Sequence, residues 1–72
     1  AGEFWKTVSD RLTERQRTVL RHAHLRGYFS WPRDATAEEI AGSMGVSSPT
    51  FHYHIRNAQR ALVEAYFDNL EG

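Results

Sequence analysis

Residues 36–56, TAEEIAGSMGVSSPTFHYHIR, carry two helix starts and a helix stop in one short run, and nothing else in the chain constrains its fold as tightly. Thr36 followed by Glu39 makes a capping box, which predicts a helix beginning at Ala37. Ile40, Ala41 and Met44 then share one face, with a small side chain where a second helix has to cross closely. Gly45 ends that helix, because glycine takes the left-handed conformation without cost, and Val46 beyond it can tuck back onto the last turn. Ser47 or Ser48 caps the next helix, and Pro49 falls in its first turn, where a missing N–H removes no hydrogen bond. Phe51, Ile55, Ala58 and Leu62 resume the apolar stripe.

That order of small residue, glycine, aliphatic and renewed stripe is the helix-turn-helix pattern, in which the second helix enters the DNA major groove. The competing explanation is structural, since any small helical protein needs a glycine-closed corner and most such corners touch no nucleic acid.

The remaining chain supplies what those two helices pack against. Thr13 and Gln16 form a second capping box, followed by Val19, Leu20 and Ala23 on one face of a helix running to about Arg26, where Gly27 stops it. Phe4, Trp5, Val8 and Leu12 suggest a short N-terminal helix or turn, with Ser9 and Asp10 expected to interrupt it. Ala1 to Phe4, AGEF, has the look of a cloning junction and carries no functional weight. Three aromatics in the connection YFSWPR, Tyr28 to Arg33, are expected to plug the bundle, stacking on bases being the functional alternative. Pro32 favours an extended Trp31. The expected fold is all-α, a single small domain over residues 1–72 with main helices at about 13–26, 37–44 and 48–69.

At 72 residues the chain is too short for an enzyme-sized cleft in addition to a core, and it has no cysteine for a disulfide or a thiolate metal site. No apolar run approaches the ~18 residues of a membrane span, and no signal-peptide pattern opens the chain, so a soluble, cytoplasmic protein is expected. His22 with His24, and His52 with His54, are spaced two apart, and such pairs on a helix diverge by about 200°, so no metal site and no cofactor are expected. No serine has a histidine and a carboxylate at recognisable spacing, and no catalysis is expected.

The formal net charge is zero, which argues against a nucleic-acid partner until its distribution is read. Arg15, Arg17, Arg21, Arg26 and Arg33 follow one another with no acid between them, and Arg56 and Arg60 lie in an acid-free run from Ala41 to Val63. With Phe51, Ile55 and Ala58 inward and His54 at the edge, Ser48, Pro49, His52, Tyr53 and Arg56 point outward and are the candidates for base edges. Arg56 suits a bidentate contact to guanine. Ser47 and Thr50 near the helix start, with Arg17, Arg21, Arg33 and Arg60, are the candidates for phosphates, the alternative for each arginine being an ordinary solvated side chain.

The last helix is longer than a three-helix module needs, and its tail, Leu62, Ala65, Tyr66 and Leu70 with Val63 and Phe67 alongside, must pack elsewhere. Trp5 and Val8 within the chain, or a second copy in a two-fold dimer, are the two candidate partners. The rival to DNA reading is a protein-interaction module using this tail to bind RNA polymerase or a partner regulator.

The marks LTERQ, GYF followed by WPR, TAEEIA and GVSSPTFHYHIRNAQ, spread over Leu12 to Leu62, resemble the bacterio-opsin activator type of helix-turn-helix domain of archaeal transcription regulators. The resemblance implies a C-terminal DNA-binding domain of a larger regulator, often behind sensor domains of the PAS or GAF kind. It also implies a more distant similarity to sigma factor region 4 and response-regulator output domains. It implies double-stranded DNA as partner and Ser48, Pro49, Thr50, His52, Tyr53 and Arg56 as recognition positions, while RNA polymerase or general transcription factors are candidate further partners under the protein-interaction alternative. Many members are strongly acidic proteins of salt-loving archaea, whereas this chain is neutral.

Overall fold

The computed structural model describes residues 2–71, except for the side chains at positions 2, 4, 5 and 71. Within them lie four helices and no strand, α1 (Gly2–Arg11), α2 (Glu14–Leu25), α3 (Ala37–Met44) and α4 (Ser48–Glu71). Both expected capping boxes are formed. The Thr13 hydroxyl accepts from the Gln16 N–H at 3.1 Å while the Gln16 side chain accepts from the Thr13 N–H at 3.0 Å. Thr36 and Glu39 repeat the arrangement at 3.1 Å in both directions.

Two helices end in the same way. At the end of α3, Gly45 has φ +72° and the Val46 N–H reaches back to the Ala41 carbonyl at 3.0 Å. At the end of α2, Gly27 has φ +76° and the Tyr28 N–H reaches the Ala23 carbonyl at 2.9 Å. Each left-handed glycine lets the following apolar residue fold onto the helix it has just left. Ser47 caps α4, its carbonyl taking the Phe51 N–H at 2.9 Å and its hydroxyl the Thr50 N–H at 3.3 Å.

The core gathers Val19 and Ala23 of α2, Tyr28 and Ala35 of the connection, Ala37, Ile40 and Ala41 of α3, and Phe51 and Ile55 of α4, with Leu20, Met44 and Val46 at its edge. Phe51, Ile40, Ile55 and Val19 are its largest fully buried side chains. α4 is the spine, since α1, α2 and α3 all pack on it. Arg11 at the end of α1 donates to Asp68 at 2.6 Å, while Tyr28 just after α2 meets Phe51, so α2 runs antiparallel to α4.

Three expectations change. Ser9 and Asp10 do not interrupt α1, which continues through them; the Ser9 carbonyl accepts from the Leu12 N–H at 3.2 Å and from the Arg17 guanidinium at 2.9 Å, so the helix end is satisfied beyond them. Only Tyr28 of the three aromatics in YFSWPR enters the core; Phe29 and Trp31 are exposed, because the connection folds back onto the Gly27 carbonyl and pushes its tip into solvent. The final helix reaches Glu71 rather than stopping near Asn69. In the tail, Ala65 is buried and Leu62 half-buried, whereas Val63, Tyr66, Phe67 and Leu70 are exposed. Val8 is half-buried on α1; the expectation for Phe4 and Trp5 lies outside the described side chains.

Candidate nucleic-acid interface

The first three turns of α4 have one face fixed by burial. Phe51, Ile55 and Ala58 are all at 2% exposure or less and His54 is half-buried, which turns the opposite side to water. On that side stand Pro49, His52, Tyr53 and Arg56, with Ser48 half-buried at the helix start. Tyr53 is 66% exposed, a large aromatic held out of the core by helix geometry. Among the described residues Arg56 takes part in no hydrogen bond or ion pair, so its guanidinium is free to form a fork of donors toward a ligand.

Gln59, one turn beyond Arg56 and two beyond His52, is exposed on the same side and was not singled out from the sequence. The heptad step from His52 was the available signal. Arg56, Gln59, Arg60, Val63 and Glu64 line an open surface groove of about 530 Å³ that continues the outward face toward the tail.

The phosphate candidates divide by what already holds them. Ser47 and Thr50 bond to each other, Oγ to Oγ1 at 2.9 Å, in the α4 cap. Arg60 donates from Nε to Glu64 at 2.8 Å. Arg17 donates from Nη1 to the Ser9 and Leu12 carbonyls at 2.9 and 2.8 Å, tying α1 to α2. That joint lies near Asp68, about 24 Å along the helix from His52 at 1.5 Å per residue, so Arg17 is remote from the start of α4. Arg21 is exposed on α2 with no partner among the described residues. Arg33 lies 4.4 Å over the Tyr28 ring, and that ring in turn meets Phe51 of the first turn of α4.

One titrating group has a resolved environment. The Thr36 backbone N–H, then the Thr36 side chain, hold the Glu39 carboxylate in its charged form and lower its pKa below the ordinary value, with the Arg26 charge adding a smaller push in the same direction. Among the described residues no group of three or more histidines or carboxylates gathers as a metal site, and no helix is long and apolar enough to cross a membrane.

Comparison with known proteins gives a consistent set of similarities. The family described as HTH DNA binding domain matches residues 12–64. A Haloferax volcanii protein with a provisional transcriptional-regulator name is 53% identical over 70 residues, covering 97% of this chain and 12% of that protein. The bacterioopsin transcriptional activator of Halobacterium salinarum is 40% identical over 65 residues, covering 90% of this chain and 10% of its own length. The transcriptional regulator NarO of Haloferax volcanii is 44% identical over 59 residues, 82% of this chain and 28% of the relative. The chain thus spans between about a tenth and just over a quarter of the relatives it matches. No solved structure matches it.

Proposed function

We propose, from the premise that this chain belongs to the HTH DNA binding domain family, that it reads double-stranded DNA in the major groove as the DNA-contacting part of a longer, cytoplasmic transcription regulator. The observation that carries this reading is the outward row on the first turns of α4, opposite the buried Phe51, Ile55 and Ala58. In the proposal Ser48, Pro49, His52, Tyr53 and Arg56 meet base edges, with Arg56 bidentate to a guanine. Arg21 and Arg33 serve flanking phosphates, Ser47 and Thr50 serve the phosphate nearest the helix start, and Arg60 and Arg17 join only by leaving their present partners. The role is binding, with no catalysis. Arg56→Ala tests it: affinity for a bound duplex is expected to fall by about 1–3 kcal/mol, with relaxed preference at one position. Unchanged affinity and preference would remove Arg56 from the reading set.

The tail favours a second copy of the chain as partner. Val63, Tyr66, Phe67 and Leu70 are each more than half exposed and recur at three- and four-residue steps. Arg56, Val63 and Leu70 lie one heptad apart, as do His52, Gln59 and Tyr66, so the reading face runs into the apolar stripe with a drift of only about 20° per heptad. Two copies paired along the stripe would splay their N-terminal halves around one duplex, the symmetry that two half-sites require. Phe67→Asp, at an exposed position, is expected to give a monomer in sedimentation where the unchanged chain dimerises. A monomeric unchanged chain at high concentration would instead leave the stripe to RNA polymerase or another regulator.

A further inference from the structure

The connection between α2 and α3 is built as a fixed projection. The Gly27 carbonyl accepts from both the Ser30 and Asp34 N–H groups at 3.2 Å, so both limbs of the loop are tied at one atom and residues 29–33 are held out as its tip. The Asp34 carboxyl is turned back against Gly27, close enough to occupy the space a Cβ there would need. At the tip Trp31 is 94% exposed and Phe29 45% exposed. A lone exposed apolar residue needs no explanation, but an indole held up by a tied loop beside a cation is a different arrangement.

The loop is also registered to the start of α4. The Arg33 guanidinium lies 4.4 Å from the Tyr28 ring centroid, and Tyr28 stands edge-on to Phe51 with centroids 5.4 Å apart. Phe51 is in the first turn of α4 and directly precedes His52. Guanidinium, phenol and phenyl therefore follow one another from the loop to the buried side of the first turn of α4, which fixes the loop relative to that helix. Stacking covers one face of the guanidinium and leaves its N–H edge available for phosphate oxygens. In three-helix DNA-binding modules of the homeodomain kind, the loop between helices one and two meets the DNA backbone, and here that loop joins the first two helices of the three-helix unit α2, α3 and α4.

We propose that residues 29–33 form a second DNA contact, in which Arg33 donates to a phosphate and the Trp31 indole packs on the deoxyribose of the backbone flanking the major-groove site. The proposal rests on the DNA-reading role of α4 and adds to it a contact that gives affinity and register, not base selection. The exposed Arg33 guanidinium, in no ion pair among the described residues, supplies the cation that a backbone phosphate requires.

The test uses a duplex recovered by the chain from a random library, prepared with long flanks and again trimmed to its core. On the long duplex Trp31→Ala is expected to bind about fivefold more weakly, the scale of one aromatic contact. Arg33→Ala is expected to flatten the dependence of log affinity on log salt by about one unit of slope. On the trimmed duplex both variants should match the unchanged chain. Adding the long duplex should also change tryptophan emission in the unchanged chain more than in Trp31→Phe. If both variants bind the long duplex like the unchanged chain while Arg56→Ala is impaired, the loop contact is overturned and the tip is left for a protein partner. If no duplex is bound at all, the DNA-reading role falls and the loop contact falls with it.

Discussion

The Tyr28 ring stands edge-on to Phe51, centroids 5.4 Å apart at an interplanar angle of 84°, and so fastens the corner closing α2 to the first turn of α4. This contact joins the scaffold to α4 at the turn where its outward row begins. Phe51 is 0% exposed. Phe51→Ala is expected to cost about 3–5 kcal/mol, most of what so small a domain holds. Tyr28→Phe keeps the ring pair and should stay within about 0.5 kcal/mol. Chemical denaturation of the two variants checks both values, and a mild Phe51→Ala would mean that the corner is held by something else.

Gly27, Gly42 and Gly45 should respond differently to the same substitution. Gly27→Ala meets a left-handed backbone and the Asp34 carboxyl together, so it should be the worst, about 2 kcal/mol or more. Gly45→Ala has the same backbone problem but open space around it, and should cost about 1 kcal/mol. Gly42 lies inside α3 with nothing within 4 Å of an added Cβ, and Gly42→Ala should stabilise by about 0.5–1 kcal/mol. Thermal melts rank the three; equal costs at positions 27 and 45 would mean that the Asp34 carboxyl yields freely to an added Cβ.

Glu39 gives the fold an acid-sensitive cap. Its pKa is lowered in the folded chain, chiefly by the Thr36 N–H, so the ionised carboxylate stabilises α3 fully above the ordinary value of 4.5, and that contribution is lost as pH falls through the folded value. Glu39→Gln keeps an acceptor for the Thr36 N–H but does not titrate. The melting advantage of the unchanged chain over Glu39→Gln should therefore be present at neutral pH and shrink below about pH 4.5. A difference that stays constant with pH would contradict the assignment.

Much of this arrangement could be read from local chemistry. The two capping boxes, the stop at Gly45 and the return of Val46 onto the Ala41 carbonyl involve residues within a few positions of each other, where sequence spacing dictates geometry. The inward set Phe51, Ile55 and Ala58 followed from helical periodicity, and it fixed the outward row. What the sequence did not reveal depends on the path of the chain between helices, where no helical periodicity dictates which groups meet. Nothing near Trp31 says that the Gly27 carbonyl ties both limbs of its loop and leaves the indole in water. Likewise the Arg17 side chain looked free in the sequence because the Ser9 and Leu12 carbonyls it reaches belong to the preceding helix and joint. Along the tail, periodicity grouped Leu62, Ala65, Tyr66 and Leu70, while the packing of α1 on α4 leaves Ala65 inside and Tyr66 and Leu70 outside.

Selection of bound sequences from a random duplex library tests the central claim most directly, that the outward row of α4 reads bases. The account predicts enrichment of a short common core, arranged as an inverted repeat where the tail stripe pairs two copies, with Arg56→Ala losing preference at one position of each half-site. A recovered pool no more alike in sequence than the starting library would contradict it.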